Sequence, residues 1–414
     1  MRSGRLRLPV LAMAAVLAAA CSAGTGSAAP SNGPGPAAPS PAAGQTAAAP
    51  PASPGTSPPE AFANLQRLLD DERASYGSVG ALAVLRLHGR EISVSSGTAD
   101  AAGTAITGTT RFRVGSITKP LVATLVLLAV SRGQLSLDDV VADLLPGILR
   151  PTPAFTVRQM LDHTSGLFDE GNEGDEVADI ARLTDPSLQA QARNVLADYQ
   201  AGKHPIVPAP IFVALAETHD RCFAPGEGYH YSNTNYQLAV MLLEHVTGTT
   251  FPELLRSGIA ERLALTHTTV APPDLASPEF RGYAKASADA EAVDATDDLL
   301  VFGNGGNGGV LSTAGELLTT MQALVSGRLL PADLTAEMRR PTTVSYGAYG
   351  LGLGTYPFSC GEFYGHAGSV NGTRSIAVVS SDGADGFVAA FNLTTVPDTA
   401  HLESLADRAL CGEG

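Results

Sequence analysis

Ser116 and Lys119 are the two residues whose types and spacing best fit covalent chemistry. Ser116 ends the run Phe112-Arg-Val-Gly-Ser, and the apolar stretch 120–128 follows, so the pattern predicts Ser116 at a helix N-terminus. Residues three apart share a helical face, which brings the Lys119 amine within reach of the Ser116 hydroxyl. Burial lowers the pKa of a lysine, and the neutral amine can deprotonate a serine nucleophile. The same spacing also fits a capping serine beside an ordinary surface lysine.

Tyr231 and Asn233 form a second candidate pair, in the run Gly228-Tyr-His-Tyr-Ser-Asn. A tyrosine followed two residues later by an asparagine presents a phenol and a carboxamide on one side of an extended turn. The phenol can relay a proton to a leaving group and the amide can orient a substrate. Aromatic packing in a polar loop is the alternative, and it suits the neighbouring Tyr229 and Tyr236.

The run His366-Ala-Gly-Ser369 lies just before a predicted strand, residues 373–380. Gly368 lets the backbone approach a ligand closely, and a strand edge can offer an N–H group to an oxyanion. A single histidine in such a place is more often structural. His366 becomes a candidate only in combination with the two preceding motifs.

Ser-x-x-Lys, Tyr-x-Asn and His-x-Gly, in this order, resemble the motifs of the penicillin-recognising serine enzymes. These are the class C β-lactamases, the D-alanyl-D-alanine carboxypeptidases and related esterases. The resemblance extends over nearly all of the region after residue 58 and includes the phrases at 133–139, 160–167 and 308–314. The sequence looks most like the secreted carboxypeptidases of actinomycetes.

The resemblance implies an acyl-enzyme at Ser116, with Lys119 and Tyr231 exchanging the proton of its hydroxyl. It assigns substrate binding to Asn233, His366 and Gly368, and an oxyanion hole to the backbone N–H groups of Ser116 and Ser369. It implies no cofactor. The expected substrate is a small molecule or a peptide, such as a peptidoglycan stem peptide or a β-lactam.

Two departures from the family pattern weaken recognition of a substrate carboxylate. Ala367 replaces a threonine whose hydroxyl helps to bind that group, and residues 354–359 lack the arginine that carboxypeptidases tend to carry before the position of Cys360. Each lost hydrogen bond to a charged group costs roughly 1.5–3 kcal/mol. Arg374 is a candidate substitute.

The sequence leaves three functions open. The first is a carboxypeptidase-like peptidase of cell-wall peptides that binds penicillin, and the second is an esterase or another amide hydrolase on the same scaffold. A catalytically idle peptidoglycan-binding protein is the third. A true β-lactamase is disfavoured because His366 stands where class C enzymes carry lysine or arginine.

The elements expected around these motifs form an α+β fold. Apolar spacing predicts a helix over 59–76 and another over 399–410. Strand patterns cover 82–87 and 91–96 near one end of the domain, and 373–380 and 387–394 near the other. We therefore expect an antiparallel sheet built from both chain ends, 59–155 and 289–414, with a mainly helical insertion over 156–288. This is the β-lactamase/transpeptidase-like arrangement.

Residues 1–58 read as an export signal and a tether. Three arginines precede the apolar run 8–20, and residues 17–21 resemble a lipoprotein box in which Cys21 carries the lipid anchor. Residues 22–58 are almost entirely Ala, Pro, Gly, Ser and Thr, which is typical of a disordered linker. We expect the hydrolase domain, 59–414, to be exported, as a surface lipoprotein or by simple secretion.

Cysteine and charge patterns limit the other partners. A disulfide between Cys360 and Cys411 is favoured, which leaves Cys222 as a free thiol. The net charge of −15 argues against nucleic acid. No spacing of His or Cys predicts a metal site, and we expect a monomer that meets the membrane only through its lipid. The acidic stretch 169–176 is interpreted as a solvated loop.

Overall fold

A computed structural model describes most of the chain after residue 57. The described residues are 58–150, 153–174, 176–201, 203, 205–270, 279–285, 290–296, 301–302, 305–345, 348–370, 372–393 and 399–412. The predicted export signal, the predicted lipid-anchor residue Cys21 and the predicted linker up to residue 57 lie outside them. The structure therefore describes the predicted hydrolase domain.

Strands occur near both ends of this region and, as short pairs, between them. They are β1 (Gly80–Leu87), β2 (Arg90–Gly97), β3 (Phe112–Arg113), β4 (Ile206–Val207), β5 (Thr269–Val270), β6 (Tyr283–Ala284), β7 (Val293–Asp294), β8 (Val301–Phe302), β9 (Val310–Ser312), β10 (Gly354–Phe358), β11 (Gly361–Val370), β12 (Thr373–Ser380) and β13 (Gly386–Phe391).

Helices fill most of the middle of the chain and flank the strands at both ends. They are α1 (Pro58–Tyr76), α2 (Thr118–Ser131), α3 (Val141–Leu144), α4 (Val157–Leu161), α5 (Glu170–Glu173), α6 (Glu176–Arg182), α7 (Pro186–Gln200), α8 (Ala209–Ala216), α9 (Asn233–Thr247), α10 (Phe251–Leu255), α11 (Ala314–Val325), α12 (Ala332–Arg339) and α13 (Thr399–Cys411). Short 3₁₀ turns lie at Gly115–Ile117, Glu261–Leu263 and Thr343–Ser345, and a π turn at Arg256–Ala260.

A six-stranded antiparallel sheet joins the two ends of the domain, in the order β10-β11-β12-β13-β1-β2. The pairing of β13 with β1 connects them, with Ala83 opposite Ala389. The predicted terminal helices, both predicted strand pairs and the α+β fold class are therefore confirmed. The boundaries of the helical insertion stay a prediction.

Both faces of this sheet are buried, so the strands at its centre are apolar at successive positions. On β1, Leu82 and Val84 face one core, while Ala83 and Leu85 face the other. Helices α1 and α13 cover the second face with leucines such as Leu65 and Leu405. Because side chains alternate across a strand, one continuous apolar run serves two cores.

Helix α2 passes through the larger core and carries the predicted catalytic lysine at its second residue. Its residues from Thr118 to Ala129 are all buried, and it packs on α9. Pro120 lies in the first turn, where the missing N–H group has no intrahelical acceptor to lose. The result is a rigid apolar support for the first turn of α2.

The cysteines agree with one expectation and contradict another. Cys360, after β10, is bonded to Cys411 at the end of α13, with Cα atoms 5.3 Å apart. Cys222 is disulfide-bonded as well, so the expectation of a free thiol at this position is wrong. Cysteine count alone could not decide this, because it does not show which thiols come together.

Among the described residues, no helix has both the length and the apolar character needed to cross a bilayer.

Candidate active site

Ser116 lies in the 3₁₀ turn that leads directly into α2, against the edge of strand β11. Gly115 adopts φ +57°, and a Cβ atom built on it would lie 2.7 Å from the backbone nitrogen of Ser369. Only glycine fits this approach and this conformation without strain. The close contact brings the turn of Ser116 beside Ser369, the two residues predicted to form the oxyanion hole.

Lys119 is fully buried and its amine has three hydrogen-bond partners. Nζ lies 3.1 Å from Ser116 Oγ, 2.8 Å from Asn233 Oδ1 and 3.0 Å from the carbonyl oxygen of Asn307. Burial lowers the pKa of Lys119 to about 7, against the opposing charge of Asp169. A neutral amine donates its two N–H groups to the two carbonyl-type oxygens, which leaves its lone pair for the Ser116 hydroxyl.

Tyr231 closes the other side of Ser116. Its ring centroid lies 4.7 Å from Lys119 Nζ, and the nearby Ser116 side chain favours the charged form of its hydroxyl. Burial raises the pKa of Tyr231 well above its usual value. The phenol is therefore protonated at neutral pH, and it can pass a proton onward only as it receives another.

A buried histidine holds the ring of Tyr231 in place. The His163 ring centroid lies 4.4 Å from that of Tyr231 and 5.1 Å from that of Tyr349, while Ser232 donates its backbone N–H to His163 Nδ1 at 3.2 Å. Burial lowers the pKa of His163 well below its usual value, so the imidazole is neutral. His163 thus supports Tyr231 by packing.

Asn233 begins helix α9 and is fixed by the acidic stretch that was expected to be a solvated loop. Asp169 and Glu170 are only 2% and 4% exposed, so that interpretation is wrong for them. Asp169 Oδ1 accepts the backbone N–H of Asn233 at 2.9 Å. Glu173, on the same short helix α5, accepts a hydrogen bond from His230 at 3.0 Å. Asp169 is buried because its carboxylate satisfies donors at the start of α9.

Strand β11 forms the opposite side of the site, and the His366 side chain on this strand carries no positive charge at neutral pH. Burial and the nearby Lys119 lower the pKa of His366 to about 3, and its Nε2 lies 3.0 Å from the Tyr349 hydroxyl. A Cβ atom on Gly368 would lie 2.1 Å from the Val114 carbonyl oxygen, so glycine is required there too. The side chain of Arg374 donates to Ser369 Oγ.

The structure brings all three predicted motifs together, and it adds residues that the motifs did not include. The added residues are His163, Asp169, Asn307 and Tyr349. His163 and Asn307 lie within or beside phrases already noted for their family resemblance, at 160–167 and 308–314, which was the available signal. Asn307 acts through its backbone carbonyl, a group that residue types do not reveal.

Known proteins show the same fold. The family described as Beta-lactamase matches residues 65–410. The chain belongs to this family. A D-stereospecific amidohydrolase from Streptomyces has a similar structure, with 31% identity and a TM-score of 0.68 over 85% of this chain and 99% of that one. The protein is therefore a serine hydrolase of the β-lactamase and penicillin-binding protein superfamily.

Curated relatives carry several different names within this family. Penicillin-binding protein 4 of Amycolatopsis lactamdurans is 28% identical over 345 residues, which is 78% of this chain and 83% of the relative. Esterase EstB of Burkholderia gladioli is 30% identical over 218 residues, covering 49% of this chain and 50% of the esterase. For the first two curated relatives the chain spans 30% and 50% of their length, so their names do not decide its substrate.

Proposed function

We propose that the protein hydrolyses amides whose acyl group comes from a D-amino acid, through an acyl-enzyme at Ser116. The observation that carries this proposal is the buried Lys119 amine, 3.1 Å from Ser116 Oγ, with two other acceptors for its N–H groups. Similarity to the Streptomyces D-stereospecific amidohydrolase supports the choice of acyl group.

The reaction starts with transfer of the Ser116 hydroxyl proton to neutral Lys119. Ser116 Oγ forms a bond to the carbonyl carbon, and the oxyanion is stabilised by the backbone N–H groups of Ser116 and Ser369. Tyr231 protonates the leaving nitrogen and takes a proton from Lys119 as the C–N bond breaks. Water then attacks the acyl-enzyme, loses a proton to the same pair, and releases the acid and Ser116.

The absence of charge at His366 and of a hydroxyl at Ala367 favours a leaving group without a carboxylate. His366 is uncharged at physiological pH, and Ala367 has no hydroxyl to donate. Hydrolysis of a simple amide releases ammonia or an amine, and neither leaving group needs these contacts. The alcohol released from a simple ester does not need them either, so the same site is compatible with esterase activity.

A D-alanyl-D-alanine carboxypeptidase is the second candidate, and Arg374 is the observation that favours it. Its guanidinium donates to Ser369 Oγ, beside the predicted oxyanion hole. A terminal carboxylate that reached Ser369 would meet this positive charge. A catalytically idle peptidoglycan-binding protein has no need of the Ser116, Lys119 and Tyr231 arrangement.

Parallel turnover assays separate these functions. The substrates are D-alanine amide, L-alanine amide, an acyl-D-Ala-D-Ala peptide and p-nitrophenyl acetate, with benzylpenicillin as a covalent probe and Ser116→Ala as the inactive control. We expect D-alanine amide to be cleaved in preference to its enantiomer and to the peptide. Preferential release of D-alanine from the peptide would establish the carboxypeptidase, and ester turnover alone the esterase. A folded protein that neither turns over substrate nor forms an adduct would support the idle alternative.

We also propose export as a monomer, anchored by lipid on Cys21, on the basis of residues 1–21. Cys360 and Cys411 are paired, so Cys21 is the only other cysteine in the sequence with which disulfide-bonded Cys222 can pair inside the chain. A lipid on the sulfur of Cys21 and a disulfide from that sulfur exclude each other, so the lipid anchor and this disulfide are alternative states of Cys21. Incorporation of a labelled fatty acid by the full chain, lost in Cys21→Ala, tests the anchor, and light scattering of the released domain tests the monomer.

A further inference from the structure

Asp169 is a buried carboxylate that contacts Asn233 through both of its oxygens. Oδ1 accepts the backbone N–H of Asn233 at 2.9 Å, and Oδ2 accepts the side-chain Nδ2 at 3.3 Å. Asp169 also caps helix α5, since Oδ1 accepts the backbone N–H of Gly171 at 3.3 Å. The carboxylate is therefore held by backbone groups while it contacts the Asn233 amide.

These contacts decide which way the amide of Asn233 points. With Nδ2 on the carboxylate, Oδ1 faces Lys119 Nζ at 2.8 Å. The opposite orientation would bring Oδ1 against the negative oxygen of Asp169 and turn Nδ2 toward the amine of Lys119. A carboxylate has only acceptors, so it excludes that orientation.

The orientation of Asn233 determines what the lone pair of Lys119 can do. Asn233 Oδ1 and the Asn307 carbonyl take the two N–H groups of the neutral amine. The lone pair then faces the Ser116 hydroxyl, whose proton must be removed. If Nδ2 faced the amine instead, it would compete with Ser116 for the lone pair.

Asp169 carries the negative charge among the side chains that surround the Lys119 amine. The groups around Nζ are Ser116 on the preceding turn, Tyr231 before α9, Tyr236 in the first turn of α9, His163 after α4, His366 on β11 and Asp169 before α5. The negative charge of Asp169 raises the pKa of Lys119, against the stronger effect of burial.

We propose that Asp169 is a positioning residue that orients the Asn233 amide, directs the Lys119 lone pair to Ser116 and sets the pH range in which that lysine works. Asp169 acts through Asn233 and does not touch the reacting atoms. The inference rests on the acyl-enzyme chemistry proposed for Ser116. It holds for any substrate that acylates this serine.

The test measures the rate at which a fluorophosphonate labels Ser116, by intact mass, between pH 5 and pH 9. This probe has no acylamino group, so it does not depend on contacts between Asn233 and a substrate. Wild-type labelling should rise with pH as Lys119 loses its proton. In Asp169→Asn the acid limb should move down by about one pH unit, because a negative charge near the ammonium is lost.

The same variant should also label more slowly at the high-pH plateau, by about tenfold or more. A carboxamide offers one acceptor where the carboxylate offers two, so it cannot satisfy both N–H groups of Asn233. Glu173→Gln is the matched control. This change removes a carboxylate from helix α5, which Asp169 caps, but it keeps an acceptor for His230. It should leave the acid limb and the plateau of the wild type unchanged.

A charge exchange gives a result that a merely structural role would not produce. In the double variant Asp169→Asn with Asn233→Asp, the new amide can donate to the new carboxylate, which directly contacts Lys119. We expect the plateau to recover partly and the acid limb to move above that of the wild type. This result applies even if Asp169→Asn alone does not fold.

The outcomes separate this inference from the proposed function. A wild-type protein that is not labelled at Ser116 would contradict the acyl-enzyme chemistry itself. Labelling of the wild type with an unmoved acid limb in folded Asp169→Asn would overturn only the role of Asp169. An acid limb of the double variant at or below that of the wild type would overturn it as well.

Discussion

The two sides of the active site differ in how their polar groups are satisfied. On the helical side, Lys119, Asn233 and Asp169 are buried and hydrogen-bonded to one another in a chain that ends at Ser116. On the sheet side, His366 is neutral and bonded to Tyr349, and the predicted oxyanion contact is a backbone N–H of β11. One side holds a buried charged network with movable protons, and the other presents the neutral His366, with the guanidinium of Arg374 beside Ser369.

Reactivity and substrate selectivity are therefore expected to depend on different sides of the site. A buried charged network tolerates few changes, because removal of one member leaves its partners unsatisfied. Side chains on the strand edge can change without disturbing that network. We therefore expect the helical side to determine whether Ser116 reacts, and the sheet side to determine which substrates reach it.

The largest effect is expected from Lys119→Met, which removes the proposed base from the helical side. Fluorophosphonate labelling of Ser116 should fall by about a thousandfold, because the hydroxyl has no other neutral amine to accept its proton. In the wild type, labelling should increase as pH rises through about 7, where Lys119 becomes neutral. Lys203→Met, which changes an exposed lysine paired with Asp198, should label normally. Full labelling of Lys119→Met would mean that another group is the base.

An intermediate effect is expected at the edge of the sheet, in the double variant Cys360→Ser with Cys411→Ser. The disulfide connects residues 51 apart and joins β10 to α13. Its removal should lower the free energy of unfolding by about 2–4 kcal/mol, measured by urea denaturation. Ser116 labelling of the folded variant should match the wild type. A loss of labelling without unfolding would show that this edge also shapes the site.

The smallest effect is expected from Ala367→Thr on the sheet side. The added hydroxyl can donate to a substrate carboxylate, so the ratio of kcat/KM for an acyl-D-Ala-D-Ala peptide to that for D-alanine amide should rise about two- to tenfold. Ala367→Val is the matched control, since it has the same shape without the donor. An equal change in both variants would assign the effect to side-chain size and contradict a selective role for hydrogen bonding at this position.

Local patterns in the sequence were sufficient for much of the fold. The spacing of Phe62, Leu65 and Leu69 predicts α1, and the two β-rich runs on either side of residues 88–90 predict the hairpin of β1 and β2. These elements depend on residues close in the chain, so their signals are local. The order of the three motifs likewise identified Ser116, Lys119, Tyr231 and Asn233 as one group.

Tertiary structure decided the surroundings of that group. The acidic neighbours of Asp169 predict a solvated loop, yet Asp169 is buried because the start of α9, 64 residues later, supplies its donors. Asn307 contributes a backbone oxygen to Lys119 from 188 residues away, and no side-chain pattern marks such a group. The oxidised state of Cys222 was missed for the same reason.

Side-chain chemistry and helical or strand periodicity are local properties, so the sequence predicts which residues are suited to nucleophilic catalysis and on which elements they lie. The surroundings that set the reactivity of Lys119 form only when the chain folds. The burial of this lysine, the direction of the Asn233 amide and the charge of Asp169 all come from segments that meet only after folding. The pKa of an amine depends on everything within a few ångströms of it, whatever the distance along the chain.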